Sequence, residues 1–263
     1  MPVFNNMLAG ASGGAGAGDY EIERSVRFNA LDSAHLSRTF GSSGNRTAWT
    51  WSGWVKRSAL VGSDRHVLFG GYGANSDTQW LEFGFGQGSL DGDNTAYLTT
   101  SSTSDSSTAV FRDVSAWYHY VANYDGSNIK IYINNSVVLT KALTGNRGIN
   151  GNWFHTIGRS PAVAIRYFNG YLADVHFIDG QALAATDFGA PDDNGVWQPK
   201  AFAGSYGTNG FHLDFKDNSS KDALGYDAAG SNDWTVSSNL SVAAGSGNDS
   251  LVDSPTNAAT PTD

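Results

Sequence analysis

Three glutamates, six histidines and no cysteine set the chemistry open to this chain of 263 residues. Without a thiol there can be no cysteine nucleophile, thiolate zinc site or disulfide framework. The histidines stand at His35, His66, His119, His155, His176 and His212, and no two have the i, i+2 or i, i+4 spacing of a histidine metal pair. They read as strand or surface residues. Retaining glycoside hydrolysis needs two carboxyl groups about 5 Å apart. Glu21 and Glu23 would share one face of an extended segment, and Glu82 stands alone. No catalytic residue is assigned, and the chain reads as a non-enzyme.

Calcium takes oxygen ligands from loops, and two stretches offer them: Asp91-Gly92-Asp93-Asn94 and Asp192-Asp193-Asn194. The same residues are good turn formers. The turn reading comes first, so no cofactor is expected, and Asp91 with Asp93 is the better of the two calcium candidates. Eight Trp, 11 Tyr and 14 Phe could form core or a sugar-stacking platform. Alternation along a strand puts Trp49, Trp51 and Val55 on the core face and Trp54 on the other. Trp54, Trp80, Tyr97 and Trp153 are the aromatics expected to face a ligand or a neighbouring subunit.

The elements that must position these residues are strands. Ser25 to Phe28, Ala48 to Val55, Trp80 to Phe85 and Ile129 to Ile133 alternate apolar with polar or small residues between Gly, Asn, Asp and Ser. Asp125-Gly126 and Asn134-Asn135 suit turns with positive φ, so residues 117 to 139 predict a three-strand meander. Trp153 to Ile157, Tyr167 to Phe177 and Phe211 to Phe215 are further strands, and only Gln181 to Phe188 suggests a short helix. Many short strands at this spacing predict an all-β, antiparallel two-sheet sandwich.

Composition agrees. There are 32 glycines, against a usual share of about 7%, and charged residues are only 16% of the chain. The net charge of −9 argues against nucleic-acid binding, and no apolar run approaches the roughly 20 residues of a membrane span. Residues 1–186 carry a net −1 and residues 187–263 a net −8. The division expected is a Gly-rich arm over 1–19, the sandwich over 20–190, which the resemblance below implies is a jelly roll, and an acidic extension over 191–263 with one or two added strands. Residues 245–263 have too little apolar surface to offset ordering entropy and are expected to be disordered. The arm lacks the pattern of a secretory signal; Val3, Phe4, Met7 and Leu8 are its apolar anchors for assembly.

Three stretches in order resemble the laminin-G/pentraxin-like branch of the concanavalin A-like lectin/glucanase jelly rolls. They are Trp49 to Lys56; Trp117-Tyr118-His119-Tyr120-Val121-Ala122 with Ile131 to Asn135; and Ile157-Gly158-Arg159 with Phe168 to Val175. Glucanases of that fold carry a Glu-x-Asp-x-x-Glu strand, and none of the three glutamates begins that spacing. A narrower resemblance, to virion structural proteins of tailed bacteriophages, rests on Arg24 to Asn29, Val175 to Leu183, Ser205 to Phe211 and Asp253 to Asn257. It implies a virion location, a decoration, fibre or knob role, other virion proteins and further copies of the chain as partners. The lectin-like fold alternatively implies a module that binds host surface glycan.

Overall fold

The computed structural model describes residues 20–60, 65–73, 79–86, 94–145 and 148–256. The arm residues Val3, Phe4, Met7 and Leu8 and the calcium candidates Asp91 and Asp93 lie outside them. The strands through the first half are β1 (Ser25–Phe28), β2 (Leu36–Thr39), β3 (Trp49–Arg57), β4 (Arg65–Tyr72), β5 (Trp80–Gly86), β6 (Thr95–Thr100), β7 (Ser104–Val110) and β8 (Trp117–Tyr124). There follow β9 (Asn128–Ile133), β10 (Ser136–Ala142), β11 (Phe154–Ile157), β12 (Gly170–Asp179), β13 (Gly189–Pro191), β14 (Trp197–Pro199), β15 (Phe211–Leu213), β16 (Thr235–Val236) and β17 (Ser250–Leu251). The expected helix is a single 3-10 turn, Ala185–Asp187.

Two antiparallel sheets make the predicted sandwich. The first runs β10-β9-β8-β3-β12-β1-β17, with β15 also on β12; the second runs β16-β2-β11-β4-β5-β6-β7. The meander is β8, β9 and β10, turned by Asn134 and Asn135, whose φ values of 47° and 67° are the positive pair that a tight hairpin needs. Between the sheets lies an aromatic core. Trp49, Trp51 and Val55 of β3, Tyr120 and Tyr124 of β8 and Phe177 of β12 meet Phe69 of β4 and Phe83 and Phe85 of β5, all fully buried. The Trp51 ring meets Phe83 edge-on at 5.5 Å and lies 6.3 Å from Phe69.

The C-terminal region departs from expectation. It holds four strands, β14 to β17, and three of them add to the sheets, on β12, β2 and β1. Residues 245–256 are built in as well. Asp249 Oδ1 takes a 2.9 Å bond from Arg27 Nε, and Asp253 Oδ2 takes one of 2.7 Å from Lys56 Nζ. Composition misled because the aspartates do backbone work. Asp227 alone accepts from the N–H groups of His212, Ala229 and Asn232, which satisfies amides that irregular chain would otherwise leave bare.

Candidate functional site

The outward side of the first sheet gathers Asp174, His176 and His212, a cluster of titratable side chains among the described residues. Along β12, Leu172, Val175 and Phe177 point into the core, so Asp174 is the extra residue of a bulge. Its φ is 51°, the left-handed region that Asp tolerates better than most residues. The bulge falls where β12 changes edge partner, from β1 (Val26 opposite Leu172) to β15 (His176 opposite His212). That pairing stacks the rings of His176 and His212 at 4.1 Å with an interplanar angle of 14°.

Asp174 collects donors. Its Oδ1 accepts from Tyr20 Oη at 2.6 Å and from His212 Nε2 at 2.7 Å, and its Oδ2 lies 3.1 Å from His176 Nε2. The other ring nitrogen of His176, Nδ1, is 2.8 Å from Tyr206 Oη. Burial opposes the charge on Asp174, but His176 and His212 outweigh it and hold the carboxyl well below its usual range. Burial likewise lowers the basicity of His176 and raises both tyrosines, helped by the nearby Asp174. Beside this group, His119 Nδ1 accepts from Trp197 Nε1 at 3.0 Å, which leaves Nε2–H to bond Ser52 Oγ at 2.8 Å. Burial takes His119 down to about 3, so it is neutral at ordinary pH.

Of the four aromatics expected to face outward, two are corrected. Trp54 is only 4% exposed, because Ile22, Tyr20, Trp117 and Trp197 roof it and His119 stacks on it at 4.9 Å. Tyr97 is fully buried, with the Arg65 guanidinium 5.2 Å over its ring. Both do point away from the core, as alternation requires; strand period says nothing about a second layer. Trp80 and Trp153 are half-buried. Trp153 donates to the Gly148 carbonyl at 2.7 Å and carries Arg46 4.5 Å above its ring.

Asp192 serves as a turn residue, its Oδ1 capping the N–H groups of Asn194 and Val196. Glu82 is fully buried, with Ser160 Oγ donating to Oε2 at 2.6 Å and Arg166 to Oε1 at 3.1 Å. A carboxylate so clamped is shaped for structure. Among the described residues, Asp174, His176 and His212 bring ligand atoms together within 4.8 Å. The sequence held one signal for them, Asp174-x-His176, but His212 lies 36 residues further on and only the β12–β15 register delivers it. An open cleft of about 420 Å³ lies by the β1 edge, lined by Arg27, Asn29, Asp32, Asn169, Tyr171 and Asp249 among others.

These features define a two-sheet jelly roll with a roofed outer face. Residues 32–187, more than half the chain, match the concanavalin A-like lectin/glucanases superfamily in its laminin G form, and the chain belongs to that family. No curated protein matches the sequence. Among solved structures, the chain is similar to a heptameric SAP-like pentraxin of Limulus polyphemus (18% identity, 63% of this chain and 80% of the other, TM-score 0.46). It is also similar to domain 4 of an extracellular GH43 arabinanase of Geobacillus stearothermophilus in complex with arabinotriose (21%, 66% and 79%, 0.46). A third is tailspike protein 2 of an Escherichia coli O157:H7 bacteriophage (12%, 62% and 23%, 0.43).

Proposed function

We propose that this chain is a non-enzymatic structural component of a bacteriophage virion, built on a lectin-like jelly roll and assembled with other virion proteins and further copies of itself. One observation carries the reading. The four stretches that resemble phage virion proteins are scattered over the sequence and adjacent in space. Arg24 to Asn29 is β1 with its flanks; it pairs with β12, whose end is the stretch from Val175, and Ser205 to Phe211 leads into β15 on the same strand. Of the last stretch, Asp253 to Thr256 closes the group, with Ser25 Oγ donating to the Asp253 carbonyl at 2.6 Å and Ile22 N–H to Thr256 Oγ1 at 2.8 Å. The shared wording therefore describes one structural layer. Mass spectrometry of purified particles tests the assignment: the chain is expected in the particle at stoichiometric copy number, and its absence would remove the reading.

The cleft favours a second reading, glycan recognition. Its polar rim of Arg27, Asn29, Asp32, Asn169 and Asp249 beside the ring of Tyr171 suits a hydroxylated ligand with one apolar face. A glycan array with the purified protein tests it. Binding that falls about tenfold or more in Tyr171→Ala at unchanged Tm supports the lectin role; no binding to any glycan sinks it. The non-enzymatic part is tested by assaying for reducing-sugar release, and none is expected from any polysaccharide.

A further inference from the structure

We propose that Asp174, His176 and His212 form a binding site for a divalent transition metal, Zn²⁺ by preference, that fastens the C-terminal segment to β12. The donor set is the first argument. Two imidazoles and a carboxylate are a three-ligand zinc set with a fourth position for water, whereas Ca²⁺ and Mg²⁺ select oxygen donors. The second is convergence. The ligand atoms lie within 4.8 Å of one another, and a tetrahedral ion with bonds of about 2.0–2.2 Å holds its ligands roughly 3.3–3.6 Å apart. The two Nε2 atoms lie 3.1 and 2.7 Å from the carboxylate oxygens, and because the rings are stacked nearly parallel an ion enters once the imidazoles turn out of the stack so that both lone pairs converge on it.

A third argument is an unmet need. His176 is 1% exposed, and its Nε2, though 3.1 Å from Asp174 Oδ2, makes no hydrogen bond. A buried ring nitrogen left so poorly satisfied is uncommon, and here it sits beside a carboxylate oxygen and within 4.8 Å of a second imidazole nitrogen. The outer shell is the fourth argument. Metal-bound histidines and carboxylates are held by outer partners, and Tyr206 Oη is 2.8 Å from His176 Nδ1 while Tyr20 Oη donates to Asp174 Oδ1 at 2.6 Å. With Nδ1–H donating to Tyr206, Nε2 of His176 presents its lone pair. For His212 to bind, its Nε2 proton, which bonds Asp174, must leave that nitrogen, with Nδ1 carrying the ring's N–H, so that the Nε2 lone pair turns to the ion. The inference stands apart from both the virion and the glycan readings.

The test uses the full chain, purified without a metal-binding tag, stripped with EDTA and titrated with Zn²⁺ by calorimetry and with Co²⁺ by visible absorption. One equivalent is expected, with a Kd of about 1 µM or tighter, tetrahedral Co²⁺ bands, and a Tm raised by about 5–10 °C at a hundredfold excess over Kd. His212→Ala is expected to weaken binding about 100-fold or more and Tyr206→Phe about tenfold or more, with His35→Ala as the unaffected control. Should His212→Ala fail to fold, Tyr206→Phe and Asp174→Asn decide. No uptake of Zn²⁺ by the folded wild type would overturn the proposal, leaving a hydrogen-bonded network only. So would uptake that survives both His212→Ala and Asp174→Asn.

Discussion

His155 shows how much one buried side chain can fix. Its Nδ1–H donates to the Trp153 carbonyl at 2.8 Å and its Nε2 accepts from Asn150 N–H at 3.1 Å, so its tautomer is set, with the Phe40 ring 4.4 Å away. Burial takes it down to about 3, as it does His119. Below pH 6.5 the unfolded chain takes up protons at these positions and the folded chain does not. Their contribution is intact above pH 6.5 and stability falls as pH drops from 6.5 toward 3, by about 1.4 kcal/mol per pH unit for each histidine. Urea denaturation at pH 7 and pH 5 is expected to show a loss of about 4 kcal/mol, with a shallower slope in His155→Gln. Equal stability at both values would show that these histidines are solvated. Trp51, fully buried among Phe69, Phe83 and Tyr120, is expected to cost about 3–5 kcal/mol on replacement by Ala. Chemical denaturation measures it, and a midpoint within error of wild type would place the ring outside the core.

At the scale of elements, the two-residue strand β17 owes its place to side chains rather than to its own length. Asp249 is 5% exposed and accepts from Arg27 Nε at 2.9 Å and from the Ser241 N–H at 2.9 Å, while the Arg27 N–H donates to the Asp249 carbonyl. Asp253 is more open, bonding Lys56 and, at 3.3 Å, Trp117 Nε1. Asp249→Ala is expected to cost about 1–3 kcal/mol, since it removes a buried charged acceptor from two half-buried donors, and Asp253→Ala under about 1 kcal/mol. The reverse order in thermal or urea unfolding would mean that β17 is held by Asp253. Removing residues 245–263 takes away both, so the loss of fold stability should precede any effect on assembly.

For the whole molecule, the acidic C-terminal region is woven into both sheets, because β15 and β17 pair with strands of the first and β16 with a strand of the second. Under the proposed virion reading, assembly through a tail therefore falls to the arm, where Val3, Phe4, Met7 and Leu8 stand before a Gly- and Ala-rich run. Deleting residues 2–18 is expected to leave circular dichroism and Tm unchanged within about 2 °C and to abolish incorporation into particles. Wild-type incorporation of the shortened chain would move the weight to the glycan-binding reading.

The sequence by itself determined the sandwich, the meander and the strands β1, β3, β5, β11, β12 and β15, because alternation, Asn-Asn and Asp-Gly turns and core tryptophans are local signals that act within a few residues, whereas β2, β4, β6 and β7 of the second sheet became evident only in the fold. It also determined which way Trp54 and Tyr97 point. Tertiary structure alone decided that both are covered, since the residues that roof Trp54, from Tyr20 and Ile22 to Trp197, come from distant parts of the chain. It alone decided that Asp249 and Asp253 anchor an end whose composition suggested disorder. The Asp174, His176 and His212 group was hidden for the same reason: its register depends on a bulge and on a strand pairing across 36 residues, and no spacing rule along the chain encodes a contact made by closing a sheet.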